Sequence, residues 1–222
     1  MFSMKNLFLS LLDWIYKKKC YFCGSSKESL KMCPNCYCQM EHMQVQSNRE
    51  IHGVKVHCAG VYEQNVQKLI RGLKYHNQKD LAYFQAKFMH DYWEKTQNSK
   101  SFQVVPVPLF KKREKERKYN HMALVAEEFC KLTGYELNLG LIERIKDTKP
   151  QYKLSKKQRT ENLQNAFRID KTKCLNKDIL IIDDICTTGS TFENMIVELN
   201  KNGIDNIVCF ATTTPFQSEE IL

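Results

Sequence analysis

The sequence of 222 residues contains no run of about 18 apolar residues, so nothing in it reads as a membrane-spanning helix. It has no internal repeat and no low-complexity tract. It also lacks the compositional bias of fibrous or disordered chains. Hydrophobic residues make up 42% and charged residues 27%, close to ordinary globular usage. Residues 1–19 lack the uninterrupted apolar core and small-residue cleavage site of a signal peptide: Ser10 and Asp13 interrupt the stretch, and Lys17, Lys18 and Lys19 follow it. Leu7, Leu11, Trp14 and Ile15 stand at helical spacing, which predicts an amphipathic helix, packed on the domain or lying on a membrane surface. The length suits one full domain with at most a small attachment, large enough to bury a core without cross-links.

Cysteine is present in excess. Of ten, six (Cys20, Cys23, Cys33, Cys36, Cys38 and Cys58) fall in the first 58 residues. A secreted disulfide scaffold spreads its cysteines through a short chain, whereas close pairs beside a cysteine-poor remainder point to metal in a reducing compartment. The expected location is therefore cytoplasmic. Cys20-x-x-Cys23 and Cys33-x-x-Cys36 form two knuckles with nine residues between them. Each offers two thiolates on one side of a tight turn, and together they predict a tetrahedral four-cysteine zinc site. Four protein ligands leave no open position, so the metal's expected work is to fold a segment too small for its own core. Cys38 and His42 are possible substitute ligands. Cys58, Cys130, Cys174 and Cys209 read as small buried hydrophobes.

Beyond the knuckles, residues 51–62 suit strands. Residues 64–95 read as two helical pieces, the first carrying Val66, Leu69, Ile70 and Leu73 at i, i+3, i+4, i+7. Residues 102–109 form a short apolar strand whose pairing Pro106 and Pro108 should end. Lys111–Lys118 holds six basic and two acidic side chains and reads as a solvated charged loop or an anion-facing segment. A helix follows from Asn120, a good N-cap, and stops at Gly134. Residues 146–165 look like a mobile loop. Ile179–Ile182 is a continuous apolar run, as a strand buried on both faces requires. Helix 191–201 and a strand from Ile207 complete a parallel βαβ unit.

The segment Ile179–Thr191, ILIIDDICTTGST, carries the most chemistry. Its strand ends at Asp183 and Asp184, at the carboxyl edge of a parallel sheet, where open α/β folds bind ligands. Thr187, Thr188, Gly189, Ser190 and Thr191 then lead into a helix. Backbone N–H groups, hydroxyls and the helix dipole converge there on a cradle for phosphate. The carboxylates upstream can accept hydrogen bonds from sugar hydroxyls or sit near Mg2+. Phosphate and diol sites one sugar apart describe a ribose 5-phosphate. The plain alternative is an acidic turn capping a helix.

ILIIDDICTTGST resembles the phosphoribosyl pyrophosphate (PRPP) motif of type I phosphoribosyltransferases. The rest of the chain resembles the ComF family in the right order, from about residue 18 to the end. The matching features are Cys20/Cys23, Cys33/Cys36, Pro106-Val107-Pro108, Arg117-Lys118-Tyr119-Asn120-His121, Gln151, Arg159–Asn162 and Asp183–Thr191. Two residues depart from the pattern: Lys118 stands where the family prefers Gly, and His121 where it prefers Gln. The resemblance implies a type I phosphoribosyltransferase α/β fold, a parallel sheet flanked by helices, preceded by the N-terminal helix and the small four-cysteine zinc segment. It divides the chain into 1–45 and 46–222. It implies PRPP and Mg2+ as ligands, with Lys111, Lys112 and Arg113 beside the pyrophosphate. It also implies a cellular setting in natural competence, the handling of incoming single-stranded DNA, alongside a competence helicase or uptake machinery.

Two functions follow. One is a phosphoribosyltransferase, a glycosyl-transferring enzyme, in which Asp183 and Asp184 are catalytic and the loop 146–165 closes over the site. No segment reads an acceptor base. The other is a non-catalytic PRPP- or nucleotide-sensing module that binds single-stranded DNA. The formal charge of +9 favours nucleic acid or phosphate-rich ligands. Lys31, Arg49, Lys68, Arg71 and Lys74 make a basic face conceivable, with Tyr21, Phe22, Tyr37, Tyr75 and Tyr119 available for base stacking.

Overall fold

The computed structural model of the chain describes residues 19–27, 30–45, 49–96, 101–147 and 165–215. The predicted N-terminal helix, Gln151 and Arg159–Asn162 lie outside the described residues.

Helix α1 (Pro34–Glu41) follows the second cysteine knuckle, with Pro34 at its first turn, where a missing N–H costs nothing. The hairpin β1 (Arg49–Ile51) and β2 (Val54–Val61) comes next. Helices α2 (Gln64–Tyr75) and α3 (Leu81–Thr96) are the two predicted pieces. Strand β3 (Phe102–Pro106) leads through α4 (Lys111–Arg117) to α5 (His121–Thr133). The short strands β4 (Glu136–Leu137), β5 (Ile142–Arg144) and β6 (Phe167–Ile169) precede β7 (Asp178–Ile185), α6 (Ser190–Lys201) and β8 (Ile207–Thr214).

The main sheet has the order β1-β2-β8-β7-β3-β4, with only the β1–β2 pair antiparallel. β5 and β6 form a separate antiparallel pair. Ile179, Leu180, Ile181 and Ile182 are all fully buried, as a strand covered on both faces demands. Leu180 and Ile182 face a core shared with α2, α3 and α5, while Ile179 and Ile181 face one shared with α6. Right-handed crossovers explain the split. The β3–α5–β4 connection runs one way along the sheet and β7–α6–β8 the other, so their helices cover opposite faces. The reversal opens a crevice at the carboxyl ends of β3 and β7, the usual ligand position in such sheets.

Two expectations need correction. Lys111–Lys118 is not a loop: Lys111–Arg117 is helical, and no residue of it is buried. It has no apolar stripe to betray it, but Lys, Arg and Glu are strong helix formers. Lys118 ends this helix with φ +66°, so a lysine adopts the left-handed turn that a glycine would take freely. Strand β7 also does not end at the acidic pair; it continues to Ile185, so Asp183 and Asp184 obey strand alternation. The helix from Asn120 is as expected. The Asn120 side chain accepts from the Met122 N–H at 3.0 Å, and Gly134 closes the helix in the left-handed conformation.

Candidate functional site

The cysteine knuckle is built locally. Gly24 N–H donates to the Cys20 carbonyl at 2.9 Å, and Gly24 takes φ +75°. The four sulfurs of Cys20, Cys23, Cys33 and Cys36 lie within 4.8 Å of one another, a cluster able to hold a metal ion. The Cys23 and Cys33 sulfurs are 3.7 Å apart. Thiolates each about 2.3 Å from one tetrahedral zinc would stand at about that separation. Burial opposes ionisation of Cys20, but N–H groups of Cys23, Cys33 and Phe22 outweigh it and bring its pKa down to about 6. The knuckle is docked on α2 and α3. Tyr21 Oη meets His76 Nδ1 at 2.6 Å, Lys68 Nζ donates to the Phe22 carbonyl at 2.7 Å, and Tyr37 Oη donates to Asp91 at 2.6 Å. Cys38 and His42 stand 3.8 Å apart, outside the four-sulfur cluster.

At the crevice, alternation along β7 parts the two carboxylates. Asp183 lines a small cavity with Cys186, Thr187, Gly189, Ser190 and Thr191. Thr188 Oγ1 meets Ser190 Oγ at 2.8 Å, and α6 begins at Ser190, so the helix N-terminus is aimed into this turn. The arrangement can receive an anion on the turn and a hydroxyl on the carboxylate. Burial, then the adjacent Asp184 charge, raises the Asp183 pKa to about 8.

Asp184 turns to the other face. Lys74 Nζ, from the end of α2, donates to its Oδ2 at 2.7 Å, and His121 Nε2, from the start of α5, meets the same oxygen. Thr213 Oγ1 donates to the Asp184 carbonyl at 3.1 Å. Burial works against the Asp184 carboxylate, yet the Lys74 cation and the His121 contact hold it well below the usual range. Burial pushes the His121 pKa down. Asp183 and Asp184, expected from the sequence to hold ribose hydroxyls and the metal shell, thus look to opposite faces of β7. Asp183 faces the turn, and Asp184 is engaged by Lys74, which no motif flagged, and by His121, where the chain departs from the ComF pattern.

The basic segment is placed less directly. Lys111 reaches Glu143, on β5, at 3.5 Å, and Lys112 reaches Asp147, just beyond β5, at 3.6 Å. These are exposed pairs of the weak kind, free to exchange partners. Lys111, Lys112 and Arg113 do not line the Asp183 cavity. Arg113 does lie within electrostatic reach of Arg144, which in turn feels Asp183. Arg144 is 6% exposed. Burial, then Arg113, brings its pKa down to about 10, against the pull of Asp183 and Asp147.

Two of the basic residues are engaged within the protein. Arg49 grips the turn after β7, and Lys74 belongs to Asp184. Tyr119 is buried and donates to the Leu73 carbonyl at 2.6 Å. Outward lie the exposed Arg71, Tyr75, 60% exposed with Arg117 5.5 Å from its ring centroid, and Lys68 over Tyr21 and Phe22 at 5.4 and 5.9 Å. Among the described residues, no helix is long and apolar enough to cross a membrane.

Fold and site thus define an α/β protein with a hydroxyl-rich turn leading into α6 at a sheet switch point and a four-cysteine knuckle docked on α2 and α3. No family model matches the chain. Competence protein F of Haemophilus influenzae is 26% identical over 198 residues, 85% of this chain and 86% of that protein. DNA utilization protein YhgH of Salmonella typhimurium is 25% identical over 193 residues, 83% of this chain and 85% of that protein. Competence protein ComFC of Bacillus subtilis is 26% identical over 203 residues, 85% and 79% respectively. Over most of its length the chain is thus similar to proteins named for competence and DNA utilization, in line with its resemblance to the ComF family. Among solved structures, adenine phosphoribosyl transferase from Trypanosoma brucei, in complex with AMP, pyrophosphate and ribose-5-phosphate, aligns with a TM-score of 0.39 and 10% identity, over 86% of this chain and 84% of that one.

Proposed function

We propose that the chain is a cytoplasmic ComF-type protein that binds PRPP with Mg2+ and takes part in handling single-stranded DNA during competence. One observation carries the ligand reading: Asp183 and the hydroxyl-rich turn at Thr187–Thr191 line the same cavity at the head of α6. The 5-phosphate sits on the turn, facing backbone N–H groups and the helix dipole. Asp183 accepts from the ribose hydroxyls, and its hard oxygens suit Mg2+. Arg113 and the buried Arg144 supply positive charge on the pyrophosphate side, with Lys111 and Lys112 free to swing in from their surface pairs. In an enzyme, that charge stabilises the departing pyrophosphate. Asp184, locked to Lys74 and His121, sets the backbone of the pair rather than meeting the phosphate. The four sulfurs suit zinc, which would fix the knuckle and leave no position for chemistry.

Calorimetric titration of PRPP, with and without Mg2+, into wild type and Asp183→Asn tests the reading. Mg2+-dependent binding that the variant loses is the expected result. No binding by folded, metal-loaded wild type overturns it. Pyrophosphate release with a series of acceptor amines and bases then separates an enzyme from a binding module.

The second reading is a PRPP- or nucleotide-sensing module that binds single-stranded DNA without turnover. It is favoured by the cation–aromatic pairs that α2 and the knuckle present outward, Arg117 with Tyr75 and Lys68 with Tyr21 and Phe22. Such pairs stack bases and neutralise phosphates together. Binding of an oligothymidylate should weaken steeply with salt, and Tyr75→Ala should reduce it without changing the slope.

A further inference from the structure

We propose that Arg49, on the edge strand β1, is the positioning residue of the phosphate turn. The proposal rests on reading that turn as a ribose 5-phosphate site. Arg49 is more than a hundred residues away in sequence, yet it makes two hydrogen bonds to consecutive carbonyls of the turn. Nη1 donates to the Thr187 carbonyl at 2.8 Å, and Nη2 donates to the Thr188 carbonyl at 2.7 Å. The planar guanidinium spans both, which an ammonium group cannot do.

The consequence follows from peptide geometry. In a trans peptide the carbonyl and the next residue's N–H point in opposite directions. Holding the Thr187 and Thr188 carbonyls on Arg49 therefore turns the N–H groups of Thr188 and Gly189 away from it. A turn that presents its N–H groups together makes an anion cradle. The cation also draws on the negative ends of those two peptide dipoles, which strengthens the opposite ends as donors.

Strand β1 closes the same side of the turn by packing. A Cβ placed on Gly189 would collide with Ile51 Cδ1, and Gly189 itself takes φ +80°. Glycine takes that backbone angle without strain and leaves room for the Ile51 methyl. Arg49 and Ile51 alternate with the exposed Glu50 along β1, so the two residues that meet the turn share one face of the strand. The hairpin thus backs the turn with one charge and one methyl group, and the opposite side is left for ligand.

The test is titration of ribose 5-phosphate into wild type, Arg49→Met and Arg49→Lys, with metal content and melting temperature measured on each. Amide hydrogen exchange across residues 187–191 is followed in parallel. Arg49→Met should weaken ribose 5-phosphate binding roughly tenfold or more, the usual scale for losing hydrogen bonds from a charged group. Exchange across the turn should quicken, while the metal content stays at wild type. Arg49→Lys should recover only part of the affinity. Wild-type affinity in Arg49→Met overturns the proposal and leaves the ligand site standing. If Arg49→Met does not fold, wild-type affinity in Arg49→Lys overturns it instead. Wild type that takes up no ribose 5-phosphate removes the site reading and Arg49's role together.

Discussion

The cysteine knuckle and the turn after β7 are both short bends with a glycine in the left-handed conformation, yet they are held by opposite means. The knuckle's four sulfurs come from one stretch of chain, and their spacing alone brings them together. The turn is backed by Arg49, 138 residues upstream of Thr187, and the nearby Asp184 is held by residues of α2 and α5. The first is a local device whose sulfurs are placed to hold a metal ion. The second exists only once the sheet has formed.

The largest expected effect tests the local half. Cys36→Ser, or exhaustive chelation, should unfold the knuckle, because metal binding and folding are one event in such segments. Circular dichroism and protease nicking near residues 20–40 would report it. The core Cys20, Met32, Cys36 and Met40 share with α2 and α3 should then open. An unaltered digestion pattern would contradict the comparison.

Next comes the buried pair. Lys74→Met should cost about 3 kcal/mol in urea unfolding, since it leaves the buried Asp184 carboxylate without its main cation. Lys74→Met combined with Asp184→Asn should recover much of that loss. A double variant as unstable as the single one would show that the pair is not the cause.

A smaller effect has a sign set by titration. The Asp183 pKa is raised to about 8 in the fold, above its ordinary value of 3.8. Between those values the unfolded chain has released a proton that the native state keeps, so stability falls as pH rises through the window. Asp183→Asn should therefore raise the melting temperature more at pH 8 than at pH 4, even as it loses PRPP. An equal shift at both pH values would refute the assignment. Asp184, whose pKa is lowered, behaves in the opposite sense, and its contribution is lost as pH falls below the ordinary carboxylate value.

The smallest effect concerns Lys118. Lys118→Gly should gain about 1 kcal/mol, because the left-handed turn at φ +66° penalises a side chain. Differential scanning calorimetry would detect the shift, and a loss of stability would argue that the Lys118 side chain contributes contacts of its own.

Features written in consecutive residues were readable in advance. The buried run Ile179–Ile182 gave a two-faced strand, Asn120 and Gly134 bounded α5, and Cys-x-x-Cys spacing gave the cluster. The segment Lys111–Arg117 was misread because it buries nothing, and periodicity reports burial rather than backbone state. Arg49 and Lys74 carry no local signature at all, and His121 stands out only as a departure from the ComF pattern. Each looks like an ordinary surface or helix residue until β1, α2 and α5 are packed against the carboxyl ends of the sheet. The splitting of Asp183 from Asp184 was implicit in strand alternation, but only once β7 is known to extend past them.

The two ends of the main sheet have a consequence for how this protein meets others. One border is the three-residue β1, bearing Arg49 and Glu50, and the other is the two-residue β4, bearing Glu136. Very short, charged border strands offer little open ladder for a foreign extended segment to join. The sheet is thereby guarded against runaway stacking of copies.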